Sequence, residues 1–170
     1  KNLNIFRGSK QNVAKRFLDC ANYNKLDYAF RINGDNLFVQ PEIVNQMINI
    51  VDQKEYDFIS NVEGRTFPYG MSVELLKISF FNNLYKKFKY MRHFEHVTLY
   101  LYENLNEGNR KNIENNNWQY LPGIHLAIDT LEDFKKAEKI FDHANGDYTK
   151  INLSFLNQLI KTGILNWFFP

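Results

Sequence analysis

This sequence lacks disulfide-forming cysteines, long apolar runs and a secretory leader, and each absence excludes a class of protein. Cys20 is the only cysteine among 170 residues, so an internal disulfide and a cysteine-based metal cage are both excluded. No apolar run reaches the roughly 20 residues that a membrane-spanning helix needs. The first residues have neither the apolar segment nor the cleavage site of a signal peptide. We therefore expect a soluble, cytoplasmic protein that does not contact membranes.

The sequence also lacks an excess of charge of either sign. Its formal net charge is +2 at pH 7, so nothing in the charge balance favours a nucleic-acid partner. Apolar residues make up 44% of the chain and aromatic residues 16%, which excludes disorder and predicts a bulky core or an apolar interface. No repeat or linker interrupts the chain. We expect a single domain over residues 1–170.

Strand-like and helix-like segments alternate along the chain. Apolar runs typical of buried strands cover residues 28–32, 57–60, 73–76 and 124–128. Helical spacing predicts helices that begin near Ser9, Pro41, Ser79 and Thr130, a further helix over 94–105 and a last one over 153–160. The polar stretch 104–117 reads as a loop or a hairpin. This alternation favours an α/β fold with three layers and a mainly parallel sheet.

Two aspartates follow predicted strands at corresponding positions. Asp35 comes after the strand over 28–32, and Asp129 comes directly after the strand over 124–128. Because ligands gather at the carboxyl ends of parallel strands, two such carboxylates can converge on one site. Mg²⁺ takes one or two carboxylates and fills its other positions with water and phosphate oxygens. Aspartate also favours turns and helix starts for purely structural reasons, so spacing alone leaves both interpretations open.

Five segments in a fixed order carry a resemblance to a known family. They are RINGDNLFVQPE at 31–42, YDFISN at 56–61, RTFPYGMSVE at 65–74, EHVT at 95–98 and IDTLEDF at 128–134. Each segment is weak alone, whereas the ordered set is fairly specific and spans most of the chain. The sequence resembles sugar-activating cytidylyltransferases, of the type found in spore coat polysaccharide biosynthesis and among acylneuraminate and CMP-KDO synthetases.

The resemblance implies a fold, a reaction and a set of site residues. The fold is that of the nucleotide-diphospho-sugar transferases. The reaction uses a nucleoside triphosphate, usually CTP, to activate a sugar or sugar acid with release of pyrophosphate, for surface polysaccharide synthesis by a homodimer. Asp35 and Asp129 would be the catalytic residues that bind Mg²⁺, and Arg31 would organise the nucleotide or its phosphates. The residues implied on the sugar side are Arg65, Tyr69, Gly70 and Glu74.

Structural interpretations of these residues stay open beside the functional ones. Arg31 also suits an ion pair at a partly buried position, and the loop over 64–70 also suits an ordinary turn. Glu74 lies in an apolar strand, where an unpaired carboxylate is costly, so it should reach a partner or face the cleft. His96, in the EHVT segment, is better explained by the dimer contact that this region makes in the family than by catalysis.

The sequence departs from the family at its beginning. The glycine-rich basic loop that wraps the triphosphate in the family has no counterpart here. The alignment places that loop and the first strand upstream of Lys1. We therefore expect the chain to be the C-terminal two-thirds of such an enzyme and, alone, to bind nucleotide poorly and lack transferase activity. Asn36, Leu37 and 71–72 also differ from the family pattern, which leaves the sugar undefined.

Two other functions stay open. A glycosyltransferase of the same general fold also gathers carboxylates on a divalent metal, but usually as a close Asp-x-Asp pair, which the sequence around Asp35 lacks. A non-catalytic sugar-nucleotide-binding or assembly module would account for the missing phosphate loop. Release of pyrophosphate separates the two transferases, and the upstream coding sequence separates the enzyme from the module.

Overall fold

The computed structural model describes residues 3–164 as a mixed α/β chain, which confirms the predicted class. The helices in this range are α1 Val13–Tyr23, α2 Pro41–Gln53, α3 Ile78–Tyr85, α4 Met91–Glu95, α5 Leu99–Glu103, α6 Leu131–His143 and α7 Leu153–Lys161. The strands are β1 Tyr28–Arg31, β2 Phe58–Ser60, β3 Glu74–Lys77 and β4 Arg110–Asn112. Short 3₁₀ turns cover Glu63–Arg65 and Tyr148–Lys150. No helix in the described range is long and apolar enough to cross a bilayer.

The four strands form one sheet in the order β1-β3-β2-β4. At one end of β3, the N–H of Lys77 donates to the carbonyl of Asp57 before β2. At its other end, Val73 accepts from the N–H of Asn61 after β2. These bonds join opposite ends of the two strands, so β3 runs antiparallel to β2.

Strand β4 lies inside the stretch that we predicted as a loop or hairpin. Its flanking residues bond to corresponding ends of β2, because Asp57 donates to the carbonyl of Asn109 and Ile113 donates to that of Ser60. β4 is therefore parallel to β2. The strand was missed because its three residues, Arg110–Asn112, are polar and half-buried or exposed, so no apolar alternation marks them.

The chain divides into two compact units, and each has its own apolar core. The first unit comprises residues up to Phe30, Tyr56–Phe58 and Leu75–Arg110. The second comprises Arg31–Glu55, Ile59–Glu74 and the residues from Lys111 onwards. The single domain expected from the sequence stays a prediction.

In the first unit, α1 buries one apolar face and α3 completes the core. The core contains Ala14, Leu18, Ala21, Phe58, Leu76, Phe81, Leu84 and Leu101. The predicted starts of these two helices, Ser9 and Ser79, were both wrong as caps. Asn12 caps α1, because its side chain accepts from the N–H of Lys15. The Ser9 hydroxyl oxygen instead accepts from the N–H of Asn12, before the helix begins. Ser79 lies inside α3, which begins at Ile78.

The single helix predicted over 94–105 is also wrong, since the structure has two short helices there. α4 ends at Glu95, and His96 takes an extended backbone with φ −102° and ψ 92°. The two following side chains, Val97 and Thr98, are buried. Both are β-branched, which weakens helix formation, and the break allows both to reach the core.

In the second unit, three helices begin close to their predicted positions. Pro41 stands in the first turn of α2, where its missing N–H costs no hydrogen bond. Thr130, the predicted start of α6, forms a capping box with Asp133. The core residues include Phe38, Met71, Leu121, Ile124, Ala137, Ile140, Leu156 and Ile160.

The segment 124–128 is extended but is not the strand that we predicted. It makes one isolated parallel bridge, between His125 and Tyr69. Tyr69 donates to the carbonyl of Ile124 at 2.8 Å and accepts from Leu126 at 2.7 Å. The ladder stops there because Gly70 has φ +88°, which turns the backbone away.

Candidate functional site

The two predicted metal aspartates lie on segments that are hydrogen-bonded to each other. The carbonyl of Asp35 accepts from the N–H of Ile128 at 3.1 Å, and Asp129 follows directly. The Asp35 side chain is half-buried, whereas that of Asp129 is 59% exposed. The structure thus brings the two segments together, with one aspartate partly shielded and the other open to solvent.

One carboxylate oxygen of Asp35 has no protein partner. Oδ1 is shielded from solvent, and no donor within residues 3–164 reaches it. The turn around it is held from both sides, because the Asn36 N–H donates to Asn33 at 3.2 Å and its side chain donates to Ser72 at 3.2 Å. A buried carboxylate oxygen without a partner is costly. A bound cation is the kind of ligand that would remove this cost.

Asp129 has a second set of neighbours that sequence analysis did not assign. His125 Nε2 lies 3.3 Å from Asp129 Oδ2. One ligand atom each from His125, Asp129 and Asp133 lies within 4.8 Å of the others. Asp35 is not in this group. The signal that was missed is the four-residue spacing of these residues, from His125 in the extended segment to Asp133 in the first turn of α6.

Asp133 is held ionised by the first turn of α6. Its Oδ2 accepts the N–H of Thr130 at 3.0 Å and its hydroxyl at 2.7 Å. The hydroxyl bond, more than the nearby backbone N–H groups and Lys136, holds the pKa of Asp133 below its ordinary value, while burial opposes the shift. A negative charge therefore stays beside His125 and Asp129 at neutral pH.

The predicted sugar-side residues Arg65 and Tyr69 are exposed and stacked on one another. The Arg65 guanidinium carbon lies 4.4 Å from the centroid of the Tyr69 ring. The imidazole of His125 also stacks with that ring, at 6.1 Å between centroids and 25° between planes. Arg65, Tyr69, His125 and Asp129 therefore form a continuous series of contacts, which we call the stacked row. It joins predicted sugar-side residues to a predicted metal residue.

Gly70 allows the loop to approach the segment that carries His125. A Cβ at this position would lie 2.2 Å from the backbone nitrogen of Ala127 and 2.5 Å from the carbonyl carbon of Leu126. Such distances are far inside van der Waals contact, so only glycine fits. Gly70 positions Tyr69 in the stacked row, and its predicted contact with substrate stays a prediction.

Arg31 and Glu74 lie on neighbouring strands and bind each other. Arg31 Nη1 is 2.5 Å from Glu74 Oε2, and the Glu74 side chain is only 2% exposed. Arg31 therefore forms the ion pair that its structural interpretation requires, and Glu74 has the partner that a buried carboxylate needs. Neither residue belongs to the stacked row. Their predicted roles towards substrate stay predictions.

Asn61 is a positioning residue that sequence analysis did not single out. Its side chain is 2% exposed. Nδ2 donates to the carbonyl of Met71 at 2.9 Å, and Oδ1 accepts from the N–H of Val73 at 2.8 Å. Asn61 thereby fixes the backbone that leads from Gly70 to Glu74. The sequence feature that could have identified Asn61 is its position as a polar residue directly after an apolar strand.

Comparisons with known proteins match the chain to one family and to two relatives. A family described as cytidylyltransferase matches residues 2–162. An uncharacterized protein of Methanocaldococcus jannaschii is 32% identical, over 92% of this chain and 64% of the relative. The spore coat polysaccharide biosynthesis protein SpsF of Bacillus subtilis is 28% identical, with the same two coverages. The chain thus spans less than two-thirds of the length of these relatives.

A solved structure is similar over almost the whole chain. The structure of a cytidylyltransferase from Leptospira borgpetersenii matches with a TM-score of 0.82, covering 94% of this chain and 66% of that one, at 23% sequence identity. A likeness at this identity shows the fold. It confirms the fold that the sequence resemblance implied, that of the nucleotide-diphospho-sugar transferases.

Proposed function

The chain belongs to the cytidylyltransferase family, and we propose on this basis that its protein transfers a cytidylyl group to a sugar or sugar acid. An oxygen of the sugar attacks the α-phosphorus of CTP, and the bond from that phosphorus to the oxygen bridging to the β-phosphate breaks. Pyrophosphate leaves, and a nucleotide-linked sugar remains. The likeness to a spore coat polysaccharide biosynthesis protein supports surface polysaccharide synthesis as the destination of the product.

One observation carries the proposal: the segment of Asp35 is hydrogen-bonded to Ile128, and the next residue, Asp129, belongs to the exposed stacked row. Asp35 and Asp129 would hold Mg²⁺, since carboxylate oxygens are the ligands that it prefers, and the unpartnered Oδ1 of Asp35 fits a cation. When bound, Mg²⁺ would neutralise charge that develops on the transferring phosphates.

The remaining side chains of the site bind and position. Arg65 offers several N–H donors next to the face of Tyr69, a combination suited to the hydroxyls, ring and any carboxylate of a sugar. The Arg31–Glu74 pair joins β1 to β3, and Arg31 lies four residues before Asp35 in the sequence. Catalysis then depends on orientation and charge stabilisation, and no covalent protein intermediate is needed.

We propose a homodimer as well. Tyr90 and Met91, at the start of α4, are 60% and 74% exposed, and adjacent exposed apolar side chains offer a surface that a partner chain can cover. Sedimentation velocity should give twice the chain mass, and Met91→Glu should shift the protein towards the monomer. A wild-type protein that sediments as a monomer contradicts this part of the proposal.

The reaction is tested with protein expressed from its complete coding sequence. The protein is incubated with CTP, Mg²⁺ and a panel of sugars and sugar acids, and products are followed by ³¹P NMR and mass spectrometry. We expect pyrophosphate and a CMP-linked sugar in equal amounts. Transfer of sugar from a nucleotide sugar with release of a nucleoside diphosphate would indicate the glycosyltransferase instead. Binding of nucleotide sugars without turnover would indicate the non-catalytic module.

A further inference from the structure

We infer that Asn33 is a site of spontaneous chemical modification, where loss of the side-chain amide rebuilds the turn that carries Asp35. The proposed function assigns no role to Asn33, so the modification itself is independent of it. The consequence for activity rests on the proposed function, because that function gives Asp35 its importance.

The chain contains two Asn-Gly dipeptides, Asn33–Gly34 and Asn145–Gly146. In such a pair the backbone nitrogen of the glycine can attack the side-chain amide carbon of the asparagine, because glycine has no side chain to obstruct the approach and its backbone is permissive. All four residues are exposed. Dipeptide and exposure are therefore the same at both places, and the local structure decides which asparagine reacts.

The reaction proceeds in two steps and needs only water. The nitrogen of Gly34 forms a bond to Cγ of Asn33, the Cγ–Nδ2 bond breaks, and the glycine proton leaves with Nδ2 as ammonia. Water then cleaves one of the two carbon–nitrogen bonds of the resulting succinimide ring. Cleavage on the side-chain side leaves aspartate. Cleavage on the main-chain side leaves isoaspartate, whose chain continues through Cβ and Cγ.

The reacting groups at Asn33 are free to move. The pair lies between β1 and α2, outside any helix or strand. Among residues 3–164, no hydrogen bond holds the Gly34 N–H or the Asn33 side chain. A Cβ added at Gly34 would meet no atom within 4 Å, so there is room beside this residue for the ring and for water.

The same dipeptide at Asn145 is held by hydrogen bonds. Asn145 has φ +55°, and its N–H donates to the carbonyl of Asp142 at 2.9 Å. The Gly146 N–H donates to the carbonyl of Phe141 at 2.9 Å. These two bonds close the end of α6 in a Schellman motif. Attack by the Gly146 nitrogen would break its bond to Phe141, so the structure protects Asn145.

Modification at Asn33 affects Asp35 through the turn. The carbonyl of Asn33 accepts the N–H of Asn36 at 3.2 Å, and the Asn36 side chain donates to the carbonyl of Ser72. In isoaspartate the carbonyl that accepts from Asn36 becomes a free carboxylate, and the main chain to Gly34 is one carbon longer. The turn then loses its fixed closure, and Asp35 is displaced. Both products also place a new negative charge two residues from Asp35.

The test follows both asparagines in the same sample of the protein from its complete coding sequence. Folded protein is kept in mildly alkaline buffer, and peptide mass spectrometry measures aspartate and isoaspartate in place of Asn33 and Asn145 over time. A parallel sample in guanidinium chloride gives the two rates without folded structure. Gly34→Ala, whose new side chain fits without contact, obstructs the attack at Asn33 and leaves Asn145 unchanged.

In folded protein we expect Asn33 to convert at least about fivefold faster than Asn145, the factor that one net backbone hydrogen bond contributes. In guanidinium chloride the two should convert at similar rates, since their dipeptides are identical. Gly34→Ala should slow conversion at Asn33 alone. Equal rates in folded protein, or faster conversion at Asn145, overturn the inference. The same ratio in guanidinium chloride also overturns it, because the difference would then belong to the sequence.

The consequence for Asp35 has two readouts. Hydrogen exchange of the Asn36 N–H reports the turn and should become faster after conversion at Asn33. Pyrophosphate release should fall in proportion to converted Asn33, whereas Gly34→Ala should keep its own starting rate over the same period. Full release by converted protein, or unchanged exchange at Asn36, contradicts the consequence. Absence of release by fresh wild-type protein contradicts the proposed function instead, and the mass and exchange measurements still decide this inference.

Discussion

At position 70 the chain needs a residue without a side chain. Gly70→Ala would add a Cβ within 2.2 Å of the Ala127 backbone at φ +88°. Strain and overpacking together should lower the free energy of unfolding by about 2–4 kcal/mol. Gly123→Ala is the control, since it has φ +83° but nothing within 4 Å of the added atom, and it should cost only about 1 kcal/mol. Urea denaturation measures both; equal losses would contradict the close approach.

The Arg31–Glu74 pair is the buried ion pair next to the site. Arg31→Met would remove a partner from a carboxylate that is 2% exposed, and we expect a loss of about 3 kcal/mol. The double variant with Glu74→Met should recover most of that loss, because it removes the buried charge itself. Lys15→Met breaks an exposed pair with Asp19 and should change stability far less than Arg31→Met, because solvent screens exposed ion pairs. A double variant as unstable as Arg31→Met would contradict this account.

Sequence and resemblance identified most residues of the candidate site, and His125 is the exception. Asp35, Asp129, Arg65 and Tyr69 were chosen because they follow strands or match ordered motifs. His125 was not chosen, because a lone histidine in an apolar segment becomes a candidate ligand only when folding aligns it with a carboxylate. A single sequence does not reveal which side chains stack.

The start of α6 is the element that sets the electrostatics of the site. Thr130→Ala removes the cap that accepts from the N–H of Asp133 and should lower stability by about 1 kcal/mol at pH 7. Thr130→Ser keeps the hydroxyl and should stay close to wild type. Urea denaturation of the three proteins decides the matter, and a Thr130→Ala variant as stable as wild type would show that the capping box contributes nothing.

The same element predicts a pH dependence with a defined sign. The pKa of Asp133 is held below its ordinary value by the Thr130 hydroxyl first of all. Because the folded pKa is depressed, this contribution is present above the unfolded pKa of about 3.9. It is lost as pH falls through the folded pKa. The difference between wild type and Thr130→Ala should therefore be constant near neutrality and shrink below about pH 4; a difference that grows on acidification would reverse the assigned sign.

Elements with strong apolar periodicity were predicted well, and elements fixed by distant partners were not. α2 and α7 carry a clear apolar face and lie where the pattern placed them. β4 has no such pattern and exists because β2 offers it an edge. The segment 124–128 has a strand-like composition, but its neighbour provides only Tyr69 as a partner. Partner geometry is not encoded in local composition.

For the whole molecule, the two units contribute differently to the proposed activity. The site described above lies entirely in the second unit, whereas the exposed residues proposed for dimer formation lie in the first. The chain covers 64% of the length of its curated relatives. We still predict that these 170 residues alone bind CTP weakly, and titration calorimetry with CTP and Mg²⁺ tests this. The cytoplasmic location also stays a prediction.

The most direct test of the central claim is the rate of Mg²⁺-dependent pyrophosphate release from CTP by the protein from its complete coding sequence. Asp35→Asn and Asp129→Asn remove the carboxylate charge that would hold the cation. Each should lower the rate at least about 100-fold, with the circular dichroism spectrum unchanged. Asp52→Asn changes an exposed position in α2, and its rate should stay within about twofold of the wild-type rate, because surface substitutions away from a site have small effects. Wild-type rates in Asp35→Asn or Asp129→Asn would contradict the account.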